Sequence, residues 1–211
     1  PDREVVQLHW GGGTPNYLTP EQVRDIFGYI RERFNISETA EISSEIDPRT
    51  VTPEHLTTFR EVGFNRVSFG VQDFNPDVQK AINRIQTDEQ NTYVVQESRR
   101  LGFDSVNVDL IYGLPFQTVA SYEETLDKVL ELSPDRLAVF NYAHVPWMKK
   151  HQQVLPEEAI PDITDRLNIL KLVIERLSDS GYVYIGMDHF ARPEDDLTIA
   201  MNNKTLYRNF Q

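Results

Sequence analysis

The sequence predicts an α/β protein made of repeated strand–helix units. Three observations carry that prediction: six short β-rich runs are spaced along the chain, helical periodicity fills the segments between them, and the same helix-entry and helix-exit residues recur. Alternation of this kind implies a parallel sheet, closed or partly closed. Six strands are too few for a complete eight-unit barrel of about 250 residues. A partial barrel, or a fragment of one, fits better than a doubly wound sheet.

The first strand is placed at Val5–Trp10 and runs into the loop Gly11–Thr14. The helix behind it has Thr19 as N-cap, Pro20 at the first helical position and Gln22 completing a capping box. Within that helix Val23, Ile26, Phe27, Ile30 and Phe34 fall on one face. The second strand is Glu41–Asp47, and the next helix enters at Thr52-Pro53-Glu54 and leaves at Gly63-Phe64. Further strands are placed at Arg66–Gln72, Ser105–Tyr112, Arg136–Tyr142 and Tyr182–Met187. Gly102-Phe103 and Gly181-Tyr182 repeat the exit, in which a glycine takes the left-handed conformation and an aromatic residue begins the next strand. Ser121 to Glu124 reads as another capping box. Pro146 to Pro161 is the longest candidate insertion. Nothing in the composition marks a second domain, so residues 1–211 read as one.

A chain of 211 residues with 39% hydrophobic and 26% charged residues can bury one good core. No apolar run approaches the length of a membrane span. The 33 acidic and 21 basic residues give a net charge of −12, a field that repels phosphate backbones and argues against a general nucleic-acid binder. There is no cysteine, hence no disulfide framework and no thiolate for zinc or iron within these residues. The chain opens on Pro1 and stops at Tyr-Arg-Asn-Phe-Gln, which reads as a piece excised from something longer.

Parallel α/β folds bind ligands at the carboxyl ends of their strands. Those ends carry Gly11–Thr14, Glu45 and Asp47, Gln72 and Asp73, Asp109 and Tyr112, Tyr142 and His144, then Asp188 and His189. A polar group at the same end of successive strands points to one assembled site. The Gly-Gly-Gly-Thr-Pro loop has neither dinucleotide nor phosphate-loop spacing. Its bare main chain suits a small zwitterion, and equally suits a tight turn that binds nothing. Arg84 has the geometry to clamp a carboxylate, although most such arginines form surface ion pairs. Asp109, in an apolar context, needs hydrogen bonds from a ribose or from nearby main chain. His144, Asp188 and His189 also raise a metal-dependent hydrolase, a reading weakened by the absence of any H-x-H or H-E-x-x-H pattern. His9 lies within a strand and reads as packed or locally hydrogen-bonded.

Six ordered blocks, QLHWGGGTPNYL, AEISSEIDPR, GFNRVSFGVQDFN, NVDLIYGLPFQT, PDRLAVFNYAHVP and YIGMDHFARPEDDL, resemble the oxygen-independent coproporphyrinogen III oxidases. These are radical S-adenosylmethionine (SAM) enzymes of haem biosynthesis. The related haem-chaperone branch shares GGGTP and a GLP segment, whereas DPR at Asp47–Arg49, FNYAH at Phe140–His144 and MDHFARP at Met187–Pro193 resemble the oxidase branch.

The resemblance implies part of a radical-SAM partial TIM-like (βα)6 barrel whose first strand lies upstream of Pro1. It implies that Gly12, Gly13 and Thr14 hold the amino group of SAM and that Arg84 pairs with its carboxylate. Gln72 and Asp109 would reach the ribose hydroxyls, Ala143 would touch the adenine through its backbone, and Glu45 would share the pocket. In this family a reduced [4Fe-4S] cluster donates an electron to SAM, and the resulting 5′-deoxyadenosyl radical starts the loss of carbon dioxide from two propionates of coproporphyrinogen III, giving protoporphyrinogen IX. The implied partners are the porphyrinogen and an electron donor, in the cytoplasm, with neither nucleic acid nor membrane.

The family's cluster motif, C-x₃-C-x₂-C, would lie before Pro1. These residues alone are therefore expected to bind no cluster, to have no radical activity and to bind SAM weakly at most. The alternatives are a haem-binding or haem-trafficking protein of the same superfamily and the metal-dependent hydrolase. A monomeric parent and association of the fragment through an unpaired strand edge are the two expectations for oligomeric state.

Overall fold

The computed structural model describes residues 3–206; the chain termini at Pro1 and Gln211 lie outside the described residues. Seven strands form one sheet in the order β1-β2-β3-β4-β5-β7-β6. They are β1 (Glu4–Trp10), β2 (Asn35–Ile46), β3 (Arg66–Gln72), β4 (Ser105–Tyr112), β5 (Arg136–Asn141), β6 (Val183–Gly186) and β7 (His189–Ala191). The helices are α1 (Pro20–Arg33), α2 (Pro53–Val62), α3 (Pro76–Ala81), α4 (Asp88–Arg100), α5 (Val119–Leu132), α6 (Ile163–Asp179) and α7 (Asp196–Asn202). The chain divides into two compact units, residues 1–71 with 86–108, and residues 72–85 with 109–211.

In the first unit β1 and β2 run parallel, as do β2 and β3. The β1–β2 ladder shifts register between Val5 and Gln7. Thr19 caps α1 and Thr52 caps α2, each in a capping box with a proline in the first turn. Of the apolar face read on α1, Val23 and Phe27 are buried, while Ile26 and Phe34 are largely exposed. Phe64 centres the aromatic core, its ring centroid 5.1 Å from Phe27 and 5.0 Å from Phe59, and Trp10 stacks on it at 5.7 Å. Gly63 ends α2 at φ +115°, and the Phe64 N–H closes back on the Phe59 carbonyl at 2.9 Å. Phe103 repeats this closure on Ser98 at 3.1 Å after Gly102.

In the second unit the same exit follows α6, where Tyr182 closes on Leu177 at 3.0 Å after Gly181. Leu110, Leu126, Leu137, Ile169, Leu177 and Phe190 fill its core. A separate apolar cluster joins Val78, Leu114 and Tyr142, with Leu155 and Ile160 from the insertion packed against it. That insertion folds as two short 3-10 turns, Lys150–Val154 and Glu157–Ala159.

Several expectations need correction. β2 begins at Asn35 rather than Glu41: Asn35 and Ile36 pair with Glu4 and Val5 ahead of the register shift, without an apolar face to announce the strand. β5 ends at Asn141, and the last expected strand is shorter, Val183–Gly186. The sheet is not wholly parallel: β7 runs antiparallel to both β5 and β6. The capping box of α5 is Thr118 with Ser121, three residues before the one expected at Ser121 to Glu124.

Candidate functional site

In the first unit β1 delivers its last residue, Trp10, directly into the glycine loop. Gly11 sits where any Cβ would stand 2.7 Å from His9 Nε2 and 2.8 Å from Glu45 Cδ, so close approach explains the absence of a side chain. Gly12 takes φ +86° and donates its N–H to Glu45 Oε2 at 3.4 Å. No atom lies within 4 Å of where a Cβ would stand at Gly12 or Gly13, so this stretch of main chain faces open space. Thr14 is extended and exposed, and its carbonyl accepts the Tyr17 N–H at 2.8 Å to start a 3-10 turn at Pro15–Tyr17. Trp10, Gly11, Gly13, Thr14 and Tyr17 line an open depression of about 440 Å³.

Glu45 stands exposed beside buried Ile46 on β2. Its Oε1 lies 3.4 Å from His9 Nε2, and His9 Nδ1 meets Ser43 Oγ at 2.9 Å. His9 is thus held locally, as its place within a strand implied. Asp47, also at this strand end, is committed to structure: its carboxylate pairs with Arg49 at 2.7 Å and pushes that guanidinium's pKa up. Of the residues singled out in this unit, the loop and Glu45 come together.

In the second unit Gln72 is the last residue of β3 and has φ +71°, a left-handed conformation uncommon for a residue with a Cβ. Asp73, next to it, is buried. Its Oδ1 accepts the Asn75 N–H at 2.7 Å and the Thr125 hydroxyl at 2.8 Å, and its Oδ2 accepts a short bond from Gln117 Nε2. Arg84 is half-buried after α3, and its N–H bonds to the Gln79 carbonyl at 2.8 Å. Asp109 is half-buried in β4, four residues before Gly113. Ala143 is exposed just beyond β5, and its carbonyl accepts from Gln152 Nε2 at 3.0 Å. Gln152 Oε1 in turn accepts the Val145 N–H at 2.6 Å. Sequence reading missed Gln79, Gln117 and Gln152, because a buried amide that fastens a distant loop leaves no local pattern.

The residues read as hydrolase ligands are placed differently. Asp188 and His189 are not a strand end: Met187 and Asp188 both have positive φ and form the β6–β7 hairpin, where His189 Nδ1 lies 2.6 Å from the Met187 carbonyl. His144 is held between Tyr142 Oη at 3.0 Å and Glu157 Oε1 at 3.1 Å. Among the described residues no group of three or more His, Cys, Asp or Glu side chains is arranged to hold a metal ion.

The family model described as Radical SAM superfamily matches residues 1–129. The chain is 53% identical over 209 residues to the oxygen-independent coproporphyrinogen III oxidase of Synechocystis, covering 99% of this chain and 45% of that protein. It is 49% identical over 209 residues to the protein of that name from Escherichia coli, covering 99% and 46% respectively. The chain thus spans about half the length of the curated relatives it matches. The solved structure of Escherichia coli coproporphyrinogen III oxidase, described as a radical SAM enzyme, matches with a TM-score of 0.96 at 48% identity over 98% of this chain and 48% of that one. Elp3 of Methanocaldococcus infernus, at 15% identity and a TM-score of 0.61, shares the fold alone. The expected α/β fold of repeated strand–helix units, as in the radical-SAM partial barrel, is therefore shown.

Proposed function

Because the chain belongs to the radical SAM superfamily, we propose that it is the SAM-binding part of an oxygen-independent coproporphyrinogen III oxidase. The observation that carries the reading is the open glycine main chain at Gly12 and Gly13, set against the Glu45 carboxylate. An ammonium group needs an acceptor and room, and the Glu45 carboxylate beside an unshielded glycine main chain offers both. The names borne by relatives at about half identity over nearly the whole chain support the choice of substrate.

In this reading Gly12, Gly13, Thr14 and Glu45 receive the methionyl amino group. Arg84 takes the carboxylate through two parallel N–H bonds, the geometry for which a guanidinium is suited. Gln72 and Asp109 accept the ribose hydroxyls, and the Ala143 main chain meets the adenine edge. The cofactor, when bound, supplies the one-electron chemistry that these side chains lack; they bind it and fix its orientation. A [4Fe-4S] cluster calls for thiolates, and the chain has no cysteine, so these residues do not fit it. Among the described residues no helix is long and apolar enough to cross a membrane. A cytoplasmic setting, a porphyrinogen substrate and a separate electron donor belong to the same proposal.

The test is an NMR titration of the chain with SAM to millimolar concentration. Saturable shifts at the amides of Gly12, Gly13 and Ala143, lost in Arg84→Ala, are expected. The absence of any saturable shift in the unaltered chain would overturn the reading.

A further inference from the structure

Asp73 is only 1% exposed, and none of the cofactor contacts proposed above uses its carboxylate. Enclosing a carboxylate is costly unless several donors converge on it. Three do: the Asn75 N–H, the Thr125 hydroxyl and the Gln117 amide. Of these, Gln117 leads on to the strand that carries Asp109, and the Asp73 main chain leads to Arg84.

Asp73 directly follows Gln72, whose φ of +71° persists only if its surroundings over-determine it. The Asp73 carbonyl accepts from Gln79 Nε2 at 2.9 Å, and the Gln79 carbonyl accepts the Arg84 N–H at 2.8 Å. Gln117 Nε2, besides bonding Asp73, donates to the Ile111 carbonyl at 2.8 Å, while its Oε1 accepts the Leu114 N–H at 2.8 Å. Ile111 lies two residues beyond Asp109 on β4. The strand ends holding Gln72 and Asp109, and the loop holding Arg84, are therefore fastened to one buried residue, through its carboxylate on the Gln117 side and its main-chain carbonyl on the Gln79 side.

We propose that Asp73 is a positioning residue for the cofactor: through Gln79 and Gln117 it sets Gln72, Arg84 and Asp109 in the arrangement that reads the ribose hydroxyls and the methionyl carboxylate. This rests on the SAM reading above. The residue touches no ligand itself. An acceptor is required at its position, because the Gln117 amide has its oxygen committed to Leu114 and cannot turn over without losing that bond.

The experiment titrates the unaltered chain, Asp73→Asn and Thr125→Val with four ligands: SAM, its decarboxylated form, 5′-methylthioadenosine and the 2′-deoxy form of the latter. Asp73→Asn keeps the shape but turns an N–H₂ group toward Gln117. SAM affinity is expected to fall about tenfold, the loss of one charge-assisted hydrogen bond. Preference for SAM over its decarboxylated form, and for the ribose over the deoxyribose ligand, should shrink with it. Thr125→Val removes one of the three donors and should move the same two ratios less; it decides the matter if Asp73→Asn does not fold. A merely structural role would lower all four affinities by one common factor and leave both ratios unchanged, which would overturn the proposal. Failure of the unaltered chain to bind any of the ligands would instead overturn the SAM reading, and the proposal with it.

Discussion

Asn16 grips the Asp47 peptide on both sides, its Nδ2 donating to the Asp47 carbonyl at 3.3 Å and its Oδ1 accepting the Asp47 N–H at 2.9 Å. The side-chain amide behaves there as one more strand beside the end of β2. A further bond from Asn16 Nδ2 to Thr50 Oγ1, at 2.8 Å, ties in the approach to α2. The turn that closes the glycine loop is in this way fastened to the strand that carries Glu45.

Asn16→Ala should therefore act on stability and on the loop together. Asn16 is 3% exposed and Asp47 is 8% exposed, so truncation leaves buried peptide groups without their partner. Each such group costs about 1–3 kcal/mol. A urea titration should show destabilisation of about 2 kcal/mol, with weaker SAM shifts at Gly12. An unchanged denaturation midpoint would show that Asn16 merely occupies the position.

Gly12 and Gly13 separate backbone strain from ligand access. Neither has an atom near the place of a missing Cβ, but only Gly12 has a positive φ, at +86°. Gly12→Ala should cost roughly 1 kcal/mol of stability through its left-handed backbone. Gly13→Ala should stay within about 0.5 kcal/mol of the unaltered chain. It should still weaken SAM, because the new methyl group projects into the open face. Equal effects on stability would mean that the loop relaxes and its φ values do not constrain it.

The β1-to-α1 and β2-to-β3 units were legible because their signals are local. Thr19 with Gln22, Thr52 with Pro53, and Gly63 before Phe64 each act within a few residues, and each is found as expected. The glycine loop and Glu45 were found at neighbouring strand ends for the same reason: strand ends follow from strand placement. Asp73 could be placed but not interpreted, since its partners Gln117 and Thr125 stand 44 and 52 residues away. β7 has three residues, too few for a period to show, and the turn before it is made by Met187 and Asp188 rather than glycine. The sequence accordingly places Asp188 and His189 at a strand end, whereas the structure places them in a hairpin.

Two residues beyond Pro193 the chain forms a structural ion pair. Arg136 Nε lies 2.9 Å from both Asp195 oxygens, with the two side chains 12% and 5% exposed, and Asp195 Oδ1 also caps α7 through the Leu197 N–H at 2.8 Å. Asp195→Ala takes one pairing partner from the Arg136 guanidinium and the N-cap acceptor from α7, at a cost of about 2–3 kcal/mol. Asp195→Ala should lower the stability of the chain by that order while leaving the SAM ligand ratios unaltered among folded molecules. A loss of less than about 1 kcal/mol would place the pair with ordinary surface bridges.

Asp73 gives the clearest pH dependence. Burial pushes its pKa upward, and hydrogen bonds from the Asn75 amide, Gln117 and Thr125 pull it back only in part. The folded chain therefore holds this proton more tightly than the unfolded chain, in which the group titrates near the ordinary carboxylate value of about 4. Its contribution is fully present below that value and is lost as pH rises through the raised native value. Asp73→Asn has no proton to lose. The stability of the unaltered chain, measured by urea titration from the acid side toward neutrality, should fall relative to Asp73→Asn across that window and then run parallel to it. Two curves parallel throughout would mean that the three donors hold Asp73 ionised at its ordinary pKa, and that burial does not govern its charge.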